Sequence, residues 1–62
     1  MEDLDALTRK LLTKIREIKI DLIVNNKDRA KEDIETAISL ADEIYAELYT
    51  LKIRLQKQEV LR

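Results

Sequence analysis

From Leu4 onward the chain sets apolar residues at helical spacing. Leu4, Leu7, Leu11, Ile15, Ile18 and Leu22 follow one another at steps of 3, 4, 4, 3 and 4, which keeps them on one face of an α-helix. The pattern 4, 7, 11 recurs as 15, 18, 22, and an eleven-residue period over three turns predicts a nearly straight or slightly right-handed stripe. Asp3 is the expected N-cap, with Glu2 and Asp5 adding negative charge where the helix dipole favours it. A strand over residues 18–24 competes, because the stretch alternates and is rich in β-branched residues. A lone strand would need a partner from another chain, whereas the stripe begun at Leu4 runs through to Leu22 without a break.

A second stripe follows. Ala30, Ile34, Ala37, Ala41, Ile44, Leu48, Leu51 and Leu55 alternate steps of 4 and 3, the period of a left-handed coiled coil. With Ile34 as position a, Ala30 and Ala37 occupy d. Small Ala37 and Ala41 let helices approach closely, so packing is expected to tighten toward the loop. Between the stripes lies Asn25-Asn26-Lys27-Asp28, the one cluster of turn-forming residues. Asn is the best occupant after Gly of the left-handed position that ends a helix, and Asp28 is the expected cap of the second one. The fold class read from this is all-α: a single domain over residues 1–62, an antiparallel two-helix hairpin with helices at about 4–25 and 28–59 and a turn at 25–28.

Folding the second helix back places Leu22 near Ala30, Ile18 near Ile34, Ile15 near Ala37, Leu11 near Ala41 and Leu4 near Leu48, so the stripe from Ala30 to Leu48 is expected to be satisfied within the hairpin. The second helix then runs on alone as an overhang of about residues 52–62, carrying Ile53, Leu55, Val60 and Leu61. Leu12, Ile20, Ile23 and Val24 lie off the stripe of the first helix, and Ile38, Tyr45, Tyr49 and Ile53 form a side stripe on the second. A hairpin apolar on more than one face is typically half of a bundle. The predicted interface is therefore Leu12, Ile20, Ile23, Val24, Ile38, Tyr45, Tyr49, Leu51, Ile53, Leu55 and Val60, and the predicted assembly is a homodimeric four-helix bundle.

Composition strengthens the case for a partner. A chain of 62 residues buries only about 60% of its unfolded surface and usually needs a staple or an oligomer. It has no Cys and no His, hence no disulfide, no thiolate or imidazole metal ligand and no nucleophile–base pair. The acids Glu43 and Glu47, or Glu32 and Glu35, read as a solvated face, since helical di-metal sites draw on Glu-x-x-His pairs. No cofactor, no metal and no enzymatic activity are expected. Gly and Pro are also absent, which disfavours tight primed turns and strand-rich folds. The longest apolar run, Leu22-Ile23-Val24, is far too short for a membrane span, and the acidic start Met1-Glu2-Asp3 lacks a signal peptide's basic residues. A soluble, cytoplasmic protein without a membrane partner is the expectation.

Charge adds orientation. Arg9, Lys10, Lys14, Arg16 and Lys19 make the middle of the first helix basic, whereas Glu32, Asp33, Glu35, Asp42, Glu43 and Glu47 make residues 32–47 of the second acidic. Such opposed fields add little stability but select antiparallel pairing. Lys52, Arg54 and Lys57 make the overhang basic; they are the residues that would contact phosphates if the chain bound nucleic acid, or the acidic segment of a neighbouring subunit if it did not.

The size, the short turn and the segment Asp42-Glu43-Ile44-Tyr45 are similar to the Rop family of small plasmid proteins. That resemblance implies a dimeric helical hairpin and binding of paired RNA loops through one face of the first helix. Here residues 3–24 include Arg9, Lys10, Lys14 and Arg16 but no Phe, Tyr, Asn or Gln. Three readings of function follow. The first is a non-catalytic interaction protein, a small regulator or inhibitor of the phage or plasmid type that assembles with itself or captures a protein partner through the side stripe and overhang. The second is a designed bundle, and the third is a Rop-like nucleic-acid binder.

Overall fold

Two helices account for nearly all of the chain. The computed structural model describes residues 3–60, with helix α1 at Leu4–Ile23 and helix α2 at Lys27–Val60. They pack against each other as an antiparallel hairpin, and no strand occurs among the described residues. Residues 18–24 are helical up to Ile23, so the period begun at Leu4 prevails over local β-propensity. The lone hydroxyls of Thr8, Thr13, Thr36 and Thr50 return to the carbonyls of Leu4, Arg9, Glu32 and Ala46 at 2.7–3.2 Å. Each mid-helix Thr is thereby satisfied inside its own helix.

Asp3 caps α1 as the sequence predicts: its Oδ1 accepts from the Ala6 N–H at 2.8 Å. The other end closes in a Schellman arrangement. The Asn26 N–H donates to the Asp21 carbonyl at 2.8 Å and the Asn25 N–H to the Leu22 carbonyl at 3.2 Å. Asn25 takes φ 60°, the left-handed conformation that Asn tolerates better than other residues with a Cβ. The cap of α2 differs from expectation. Asn26, two residues before Asp28, accepts from the Arg29 N–H at 3.3 Å, and its carbonyl accepts from the Ala30 N–H at 3.0 Å. The second Asn thus ends one helix and starts the next, which leaves Asp28 in the first turn as a dipole partner.

The contact row between the helices also departs from the apolar stripes. On α1 the row is Leu4, Leu7, Leu11, Lys14, Ile18 and Asp21, all buried or half-buried, with Ala6 and Glu17 half-buried beside it; on α2 it is Ala30, Asp33, Ala37, Leu40, Ile44 and Glu47. Both rows step by 3 and 4. Tight approach to Ala30 and Ala37 imposes the 3.5-residue period on α1, and an eleven-residue stripe drifts across such a row. Lys14 and Asp21 therefore stand where Ile15 and Leu22 were expected, and Ile15 and Leu22 lie outside at 49% and 61% exposure. On α2 the d residues Ala30, Ala37 and Ile44 face α1, while the a residues Ile34, Ala41 and Leu48 are exposed. The expectation that one hairpin would satisfy the stripe from Ala30 to Leu48 is thus corrected: only alternate members are covered.

The hairpin is a plate two helices wide, measuring 55 × 18 × 15 Å with a radius of gyration of 15.9 Å. A globule of this length would have a radius near 11 Å. The chain exposes 5520 Å², against about 4,200 Å² for a compact monomer of its mass. The excess is of the order that one partner contributes to a large interface.

Candidate interaction surface

The excess surface is concentrated by helix geometry. On α1, Ile15 and Leu22 flank the edge of the contact row that carries Leu4, Leu11 and Ile18; on α2, Ile34, Ala41 and Leu48 flank the row at Ala37 and Ile44. Because the helices are both right-handed and run antiparallel, these two edges fall on the same side of the plate. Leu12 on α1, with Ile38 and Tyr45 on α2, continue that side outward, at 51%, 57% and 69% exposure. One broad face of the hairpin therefore carries an apolar strip, interrupted at the equivalent positions by Thr8, Lys19 and Lys31.

The opposite side is polar. Arg9, Lys10, Thr13, Lys14 and Glu17 of α1, with Thr36 and Leu40 of α2, line a shallow groove of about 470 Å³. Within and beside it, Arg9 Nη2 meets Asp5 Oδ2 at 2.8 Å, and Lys14 Nζ meets Glu17 Oε2 at 3.0 Å. Lys14 also reaches Asp33 Oδ1 at 3.6 Å, a crossing ion pair of the kind that a basic α1 opposite an acidic α2 implies. The Lys14 pKa is raised from 10.5, first by its hydrogen bond to Glu17 and then by the nearby charges of Glu17 and Asp33, with partial desolvation opposing.

Of the residues the sequence assigns to an interface, Leu12, Ile38 and Tyr45 join the apolar face. Ile20, Ile23 and Val24 gather around the turn, 59–76% exposed. Leu51, Ile53 and Leu55 lie along α2 past the start of α1, also exposed. Tyr49 stacks on Tyr45 with ring centroids 6.2 Å apart and planes at 26°. With Leu48 and Lys52 the two rings line a depression of about 230 Å³. Lys52, Arg54 and Lys57 are all solvent-exposed. The side chain of Val60 and the whole of Leu61 lie outside the described residues.

Five residues of this face, Ile15, Leu22, Ile34, Ala41 and Leu48, were assigned by sequence reasoning to the interior of a single hairpin. A signal for their exposure is present in the chain: α2 is apolar at both a and d, and a helix with one neighbour covers only one of the two. Among the described residues there is no group of three potential acidic, His or Cys metal ligands and no helix long and apolar enough to cross a membrane. Residues 1–53 match the family model described as Sulfolobus spindle-shape virus 1, protein D-63. No curated protein and no solved structure matches the chain.

Proposed function

We propose, from the premise that the chain belongs to the family of Sulfolobus spindle-shape virus 1, protein D-63, that it is a small viral-type interaction protein working without catalysis. Family membership favours this reading over a designed bundle. Its working form is a homodimer in which two hairpins press their apolar faces together as a four-helix bundle. The observation that supports it most is the row of a residues Ile34, Ala41 and Leu48 beside Ile15 and Leu22, all exposed on one side of the plate. The four large side chains are 40–61% exposed in one hairpin, so covering them recovers roughly half of the about 1.5–3 kcal/mol that full burial of each is worth.

The ends of the hairpin favour an antiparallel arrangement of the two copies. Each copy has uncovered apolar residues at its turn, Ile20, Ile23 and Val24, and others at and beyond the start of its overhang, Leu51, Ile53 and Leu55. Two hairpins related by a two-fold axis across α2 bring the turn of one beside the overhang of the other, where Leu51 and Leu55 continue the d and a rows. Surfaces left over at the bundle rim, with the stacked Tyr45 and Tyr49 near its middle, are then the place for a protein partner, since aromatic residues dominate interface energetics.

Sedimentation equilibrium of the full chain tests the reading. The expected mass is twice 7.3 kDa, falling to the monomer value in Ile34→Glu and Leu48→Glu but not in Thr36→Glu on the polar side. A wild-type mass near 7.3 kDa at micromolar concentration would overturn it. Binding of nucleic acid through Lys52, Arg54 and Lys57 is the second reading, and a steep salt dependence of RNA or DNA retention would be its signature.

A further inference from the structure

We infer that Asp21 and Asp33 share a single proton across the turn end of the hairpin, so that acidification fastens α1 to α2 there and rising pH loosens it. Both residues stand in the contact row, 5% and 8% exposed, and they are the buried charged residues of the described chain. Neither is fully matched. Asp21 Oδ2 and Asp33 Oδ2 are buried with no hydrogen-bond partner, although a buried carboxylate oxygen left unpaired is costly. Two ionised carboxylates have only acceptors to offer each other. One added proton would let one carboxyl donate to the other through an O–H···O⁻ bond, among the shortest and strongest that proteins make.

The surrounding charges count toward one proton. Facing the pair are Lys14 and Glu17 from α1 and Arg29 from α2. Arg29 Nε is 3.9 Å from Asp21 Oδ1, and Lys14 Nζ is 3.6 Å from Asp33 Oδ1. Glu17 takes the closer share of Lys14, at 3.0 Å. Three acids against two bases leave one negative charge, which a proton on Asp21 cancels. In agreement, the Asp21 pKa is raised from 3.8, first because Asp33 can accept a hydrogen bond from its protonated form, then by burial and by the Asp33 charge, with Arg29 opposing.

The linkage has a definite sign. A carboxyl whose folded pKa is raised binds its proton more tightly in the folded state. Its stabilisation is complete below 3.8 and disappears as pH rises through the folded value. The pair borders the polar groove, through Lys14 and Glu17, and not the apolar face, so this holds whether or not the bundle forms.

The experiment is carboxyl-carbon NMR of the full chain across a pH titration, paired with thermal unfolding of wild type, Asp21→Asn and Asp33→Asn. Asp21 is expected to titrate above 3.8. Asp21→Asn, whose amide donates to Asp33 without titrating, is expected to melt higher than wild type at neutral pH and to abolish the wild-type gain on acidification through that midpoint. Asp33→Asn, by accepting and donating to Asp21, is expected to bring the Asp21 midpoint down. An Asp21 midpoint at or below 3.8, or an undiminished acid gain in Asp21→Asn, would overturn the inference.

Discussion

Lys14 Nζ stands 3.0 Å from Glu17 on its own helix and 3.6 Å from Asp33 on the other, so one ammonium group ties α1 to α2 in the middle of their contact row. Its side chain is 31% exposed. The aliphatic stem lies along the interface while the charge serves both carboxylates. Lys14→Met keeps the stem and removes the charge, and is expected to lower the melting temperature. Because the Lys14 pKa is raised by its partners, the charge contributes in full below 10.5 and its contribution is lost as pH rises through the folded value. Thermal unfolding of the two proteins side by side should give a constant difference up to 10.5 that closes in stronger base.

Ala37 is 9% exposed where α2 meets α1. Ala37→Leu inserts three carbon atoms into a close approach, and overpacking of this kind costs about 1–3 kcal/mol. Denaturant unfolding at fixed protein concentration measures it. Ala46→Leu, at an exposed position of the same helix, should fall within about 0.5 kcal/mol of wild type.

Asn25 carries the reversal in a conformation with φ 60°. Asn25→Ala is expected to destabilise by about 1 kcal/mol, because a Cβ without a polar group to offset the clash is penalised there. Asn25→Gly should be neutral or stabilising. If both variants unfolded at the wild-type midpoint, the left-handed position would not be what ends α1.

Asp3 holds the first turn of α1 by one hydrogen bond. Asp3→Ala should cost about 1 kcal/mol, and Asp3→Asn or Asp3→Ser much less, since each keeps an oxygen that accepts from the helix. Amide hydrogen exchange should localise the loss to Ala6 and Leu7, whose N–H groups bond to the side chain and the carbonyl of Asp3.

The elements of this fold were legible in the chain because their causes are local. Apolar spacing gave two helices, Asp3 gave a start, and Asn25 gave the stop without any Gly. Asn26 was harder to place. A single residue closes one helix through its N–H and opens the next through its carbonyl and side chain, and sequence reasoning, which favours the nearest acid, gave the cap to Asp28. The charged pairing of the helices was visible as a general opposition. That it would come down to Lys14 and Asp33, with Asp21 buried beside them, was not, because a charged residue at a contact position carries no local mark of burial.

Residue spacing alone dictates two antiparallel helices with more apolar surface than one hairpin can cover. That follows from counting: α2 is apolar at a and d, and α1 is shorter than α2. Packing of the two helices selects which half of that surface faces inward. Close approach at Ala30 and Ala37 rotates α1 into a 3.5-residue contact row that takes in Lys14 and Asp21 and leaves out Ile15 and Leu22. The rotation of a helix about its own axis depends on what packs against it, not on its own periodicity. For that reason the broad apolar face, and the buried carboxyl pair behind it, emerge only once the helices are placed together.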